Sequence, residues 1–205
     1  MKNILTALKY LKKTEPRFGT LIDEFGEPDF ELQDNYFKSL VRSIIYQQLS
    51  GKSAFAIYSR YLQLFNSTEF PSPQQVLEIS DSHYKSIGLS RQKTCYIKEI
   101  SQAFSNKEIV PENIPKMKDD EVRKQFIKIK GIGPWTIDMF LMFTLNRPDI
   151  LPVNDLGIQK GFKLFFRLNE LPDKNFMVEK AKNWKPFRTI ACWYLWKLVD
   201  DNFQW

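Results

Sequence analysis

Two short stretches of this sequence combine residue types and spacings that could do chemistry. The first is Phe126-Ile-Lys-Ile-Lys-Gly131-Ile132-Gly133-Pro134-Trp135-Thr136, where two glycines one residue apart stand before a proline. Glycine lets the chain turn tightly and lets a second backbone come close. Proline suits the first position of a new helix, whose leading N–H groups point outward and suit a phosphate. Lys128 and Lys130 add positive charge beside the turn. These residues form a helical hairpin able to grip a DNA backbone; an ordinary packing hairpin is the alternative.

The second stretch, Leu151-Pro-Val-Asn154-Asp155-Leu-Gly157, follows about 20 residues later. Asp155 stands where a helix can begin, and there the dipole and the free N–H groups stabilise a carboxylate. Alone it reads as a helix cap; after a phosphate-gripping hairpin it reads as a candidate catalytic acid group.

Other chemistries lack their residues. A single histidine, His83, leaves no room for a histidine metal cluster or, without a local partner, for a Ser/His/Asp triad. Two cysteines, Cys95 and Cys192, are too few for a four-cysteine iron–sulfur or zinc site and argue against a disulfide framework. Thirty Lys and Arg against 24 Asp and Glu give a net charge of +6, which favours a polyanionic partner. No run approaches the 18 or so apolar residues of a membrane span, and the apolar start before Lys9 is too short for a secretory signal, so a cytosolic, nucleoid-associated protein is expected.

The elements that must position these groups read as all-helical. Asp34 can cap a helix with Phe37, Leu40, Val41, Ile44 and Ile45 on one stripe. Ser50 can cap the next, through Phe65. Ser72-Pro-Gln-Gln75 is a capping box, a short helix ends at Gly88, and Ser90 starts a longer one through Phe104. Residues 106–118 read as a loop. Asp119 or Asp120 opens a helix towards Ile129, and Trp135 to about Phe143 form another. A second loop covers 146–154, Asp155 heads a helix through Phe166, and Pro186 opens the last one, through Val199.

The ordered motifs resemble the helix-hairpin-helix (HhH-GPD) DNA glycosylase superfamily, and within it the DNA-3-methyladenine glycosylase II branch. The hairpin and Asp155 are joined by Gln47-Gln48-Leu49-Ser50, by Gly88-Leu-Ser-Arg-Gln-Lys93, and by Trp184-Lys-Pro-Phe-Arg188-Thr-Ile-Ala-Cys-Trp-Tyr-Leu-Trp196. The resemblance spans about residues 35–200.

It implies a two-lobe all-α body without an extra N-terminal β-rich domain. One lobe would be about 35–145, with the hairpin at 126–136; the other would join about 1–34 to about 146–205. The implied activity is hydrolysis of the N-glycosidic bond of alkylated bases of the 3-methyladenine type in double-stranded DNA, by a monomer without a cofactor. Asp155 would be the catalytic residue, with Trp135, Met139, Trp196 and Asn154 at the base pocket. Gln47, Gln48, Leu49, Lys128, Lys130, Gly131, Ile132, Gly133 and Thr136 would meet DNA, with Gln48 or Leu49 as the wedge that fills the gap left by an everted base. In such hairpins the carbonyls, here of Ile127, Ile129 and Ile132, can hold a monovalent cation.

Trp135 stands where strand-cutting relatives carry a catalytic lysine, so no Schiff base and no lyase step are expected. Met139 replaces an aromatic, and Asn154 an acid, found in some relatives. A non-enzymatic helix-hairpin-helix protein that binds damaged DNA, and a glycosylase for other damaged bases, are the alternatives.

Overall fold

Short polar caps set several helix starts in the computed structural model, which describes residues 4–31, 33–49, 51–65 and 67–200. In chain order the α-helices are α1 Ile4–Thr14, α2 Arg17–Phe25, α3 Tyr36–Tyr46, α4 Gly51–Gln63, α5 Pro73–Glu78, α6 Asp81–Ser86, α7 Arg91–Ser105, α8 Asp119–Phe126, α9 Pro134–Met139, α10 Leu156–Phe166, α11 Lys174–Lys180 and α12 Arg188–Val199. Among the described residues there is no strand. Ser72 and Gln75 form the reciprocal capping box of α5, Ser90 accepts from the N–H of Lys93 at α7, and Asp155 caps α10.

Several boundaries differ from the sequence reading. Asn35 rather than Asp34 caps α3, its side chain accepting from the N–H of Lys38 at 2.8 Å; either short acceptor can cap, and the register of the helix selects the later one. The expected cap at Ser50 lies outside the described residues. The stretch 106–118 contains a 3₁₀ helix, Pro111–Lys116, because proline at its first position tolerates the missing N–H. α8 stops at Phe126, three residues before Ile129, and tight turns carry the chain on to the glycines. α9 ends at Met139 and passes into a π-helical turn, Phe140–Thr144. α12 begins at Arg188, two residues after Pro186.

The chain divides into two compact units, Gln33–Phe140, and Met1–Leu32 with Leu141–Trp205. In the first, α3 packs on α4, α7 and α9, while α5 and α6 pack on α7 and α8 packs on α9. Its core takes the apolar stripe of α3 together with Tyr61, Tyr84, Ile97, Ile100, Val122 and Phe126. In the second, α12 contacts α1, α2 and α10. Thr189 through Trp196 are all buried, as a helix that is apolar on every side requires. Phe18, Phe162, Phe165 and Trp184 cluster around this helix's partners with ring centroids 4.7–5.9 Å apart. Glycine makes the α10–α12 contact close: a Cβ at Gly161 would lie 2.6 Å from the Leu195 carbonyl oxygen.

Candidate active site

In the Gln33–Phe140 unit, the hairpin between α8 and α9 is closed by its own backbone. The N–H of Ile129 donates to Phe126 O (3.0 Å) and that of Ile132 to Ile129 O (3.1 Å). The two glycines serve different ends. Gly131 has φ +97°, and a Cβ there would be driven into the ring of Tyr96 on α7, so the fold itself demands glycine. Gly133 is extended at φ −99°, and a Cβ there would meet nothing within 4 Å.

Gly133 caps α9 without a side chain. The first helical bond runs from Ile137 N–H to Gly133 O, and Pro134 has no N–H. The leading end of α9 therefore presents backbone donors with no side-chain cap, the arrangement that suits an anion. Ile132 is only 3% exposed and plugs the loop into the core, while Lys128, Lys130 and Ile127 lie on the surface. Three neutral carbonyls, of Ile127, Ile129 and Ile132, are a donor set that fits a hard monovalent cation, and one of them, Ile129 O, already accepts an N–H.

The turn after α3 belongs to the same unit. Gln48 has φ 56° and Leu49 is 39% exposed, whereas Gln47 is held from both ends. The Gln47 side-chain amide donates to Thr136 Oγ1 (2.9 Å) and Gly131 O (3.3 Å), and Lys93 Nζ donates to Gln47 O and Ile45 O, each at 2.7 Å. Thr136, expected to meet DNA, is 1% exposed and is spent on Gln47; its hydroxyl ties the turn to the hairpin. On α9, Trp135 is half-buried and Met139 is 1% exposed. Buried Asp138, with its ion pair to Arg123 at 2.6 Å, anchors α9 to α8.

In the other unit, Asp155 stands half-buried at the mouth of α10. Its Oδ1 accepts from Ile158 N–H (2.7 Å) and from the indole Nε1–H of Trp196 (2.9 Å). Trp196, expected at the base pocket, is 6% exposed and lies against Phe143, ring centroids 5.6 Å apart. Its polar edge is directed to the carboxylate. Gly157 makes the approach possible, since a Cβ there would stand 2.8 Å from the indole and 2.9 Å from Asp155 Oδ1. Asn154 is exposed.

The first turn of α12 fixes the loop that leads to Asp155. Arg188 grips both carboxylate oxygens of Asp149 (2.6 and 3.0 Å), Thr189 Oγ1 donates to Arg147 O, and Ile150 N–H donates to Thr189 Oγ1. Sequence reasoning missed these roles of Arg188 and Thr189; their signal was their place in the Trp184–Trp196 motif. Among the described residues no group of three or more His, Cys, Asp or Glu could hold a metal ion, and no helix is long and apolar enough to cross a membrane.

A helical hairpin turned by two glycines, followed by an aspartate that caps a helix of its own, defines the class. The chain belongs to the HhH-GPD superfamily of base excision DNA repair proteins, which it matches over residues 41–186. Among relatives, DNA-3-methyladenine glycosylase 1 of Schizosaccharomyces pombe is 34% identical over 163 residues, covering 78% of this chain and 71% of its own length. The alkylbase DNA glycosidase-like protein mag2 of the same organism is 32% identical over 196 residues, covering 94% and 92%. The solved structure of the S. pombe 3-methyladenine DNA glycosylase in complex with abasic DNA superposes with a TM-score of 0.89 at 30% identity, over 97% of this chain and all of that one.

Proposed function

We propose that this chain is a monofunctional DNA glycosylase that hydrolyses the N-glycosidic bond of alkylated bases of the 3-methyladenine type in double-stranded DNA, the first step of base excision repair. The observation that carries the reading is the aspartate at the head of α10, one oxygen of which is fixed by two N–H donors. The names of the relatives support the substrate class, and the abasic DNA bound to the S. pombe enzyme supports DNA as the partner.

In the reaction the C1′–N bond breaks with its electron pair going to the base. An alkylated base is already cationic and leaves as a neutral molecule, so no general acid is needed. Positive charge builds on the deoxyribose, and the Asp155 carboxylate stabilises it electrostatically. Water then adds at C1′, oriented by the same carboxylate, which takes up its proton. Trp135 supplies an electron-rich ring for a cationic base, worth about 0.5–2 kcal/mol. The hairpin, through Gly133 and the N–H groups that follow it with Lys128 and Lys130 beside them, holds the DNA backbone. Gln48 and Leu49 fill the gap left by the everted base. Carbonyls of the hairpin would hold a monovalent ion that adds positive charge beside a phosphate. The protein acts as a monomer.

The experiment is chromatography of the bases released from methylated duplex DNA, with the strand examined on a denaturing gel. Free 3-methyladenine with an unbroken strand is the expected result. DNA binding without base release would leave a binder, and strand breakage at the abasic site would overturn the monofunctional assignment.

A further inference from the structure

A helix leaves its last carbonyls without intrahelical partners, and at the end of α3 the solution is unusual. The chain leaves α3 through Gln47 and then passes Gln48 in a left-handed conformation, φ 56°, which is strained for a residue with a Cβ. Such a turn persists only where its surroundings hold it. Beside the backbone bond from Leu49 N–H to Tyr46 O (3.4 Å), an ammonium group from another helix holds it: Lys93 Nζ sits 2.7 Å from the carbonyl oxygens of both Ile45 and Gln47. Hydrogen bonds from a charged donor are the strong kind.

One turn further along α7, the ring of Tyr96 fills the space under Gly131, so one face of α7 touches both the turn and the hairpin. The Gln47 amide closes the circuit onto Gly131 O and Thr136 Oγ1. What remains exposed at the tip is Gln48 and Leu49, the second an apolar side chain on a strained turn.

We propose that Lys93 is a positioning residue for the DNA wedge: its ammonium, held on the carbonyls of Ile45 and Gln47, keeps the Gln48–Leu49 turn in the one shape that enters the duplex, in register with the phosphate-gripping hairpin. The inference rests on the glycosylase reading above. A wedge on a slack loop would spend its contacts on ordering itself; a fixed one spends them on holding the base out of the stack. Burial pulls the Lys93 pKa below its ordinary value, and the two short hydrogen bonds are what keep a partly buried ammonium in place.

The test uses two duplexes carrying the same methylated base, one with its normal pairing partner and one with a one-nucleotide gap opposite, where eversion costs less. Single-turnover release is compared for wild type, Lys93→Met and Lys93→Arg. Lys93→Met is expected to slow release about tenfold or more on the paired duplex and less than about twofold on the gapped one, which is a shift of about 1.4 kcal/mol confined to eversion. Lys93→Arg, which can still reach two carbonyls with charged donors, restores most of the paired rate. Equal loss on both duplexes, or no loss on either, overturns the role of Lys93 and leaves the proposed activity standing. If Lys93→Met does not fold, Lys93→Gln, a neutral donor, takes its place on the same two substrates with the same expectations. Failure of the wild type to release base from either duplex removes the glycosylase reading and this inference with it.

Discussion

The starts of α9 and α10 use the same physics in opposite ways. Each exposes N–H groups at the positive end of a helix dipole. At α10 the sequence supplies the anion itself: Asp155 accepts from the Ile158 N–H and is thereby fixed in place. At α9 the sequence supplies Gly133, which has no side chain to bond back to the helix. On the proposed reading, one terminus orients a permanent negative charge and the other receives a negative charge that arrives with DNA. On that reading the difference separates catalysis from grip, and a variant should damage each without the other.

The largest effect should come from Asp155→Asn. Asparagine caps a helix about as well as aspartate, so melting should shift little, while kcat for methylated-base release falls by about 10²–10³ or more. DNA affinity, measured by fluorescence anisotropy, should stay within about twofold. Substantial turnover in this variant would break the contrast at its catalytic end.

Gly133→Val probes the other end. The protein has open space for that side chain, so stability is retained, and affinity should drop about 10–100-fold for all DNA sequences alike because phosphate contacts carry no base information. Gly131→Ala gives the matching control: it should destabilise the fold by about 2–4 kcal/mol through a clash and a left-handed Cβ. A sequence-selective loss in Gly133→Val would show that the turn reads bases.

The smallest effect sharpens the comparison within the catalytic half. Trp196→Phe keeps an aromatic ring and deletes the donor to Asp155, for an expected loss of about 1.5 kcal/mol, or about tenfold in kcat, with KM nearly unchanged. A rise in KM alone would show that Trp196 acts in base recognition.

What was legible in the sequence was local. Ser72, Ser90 and Asp155 announce caps because a cap needs one short acceptor and the next few N–H groups, all within four residues. Asp34 and Asn35 are equivalent by that criterion, and packing chose between them. The couplings that build the site join distant positions and left no local mark. Nothing near Lys93 says that its ammonium closes α3, and nothing near Trp196 says that its indole faces Asp155. Gly131 and Gly133 are the same letter, one required by a neighbouring ring and one not required by the fold at all. Only coordinates separate them.

The commitment of the Trp196 indole to Asp155 constrains how this enzyme can diversify. Under the proposed mechanism a residue that steers the reacting carboxylate is locked by the chemistry every lesion shares, and Gly157 is locked with it. On that reading substrate range is adjusted elsewhere, and the half-exposed Trp135 on α9 is the position to exchange. New lesions would then be recruited by changing one ring while the hydrolytic engine stays untouched.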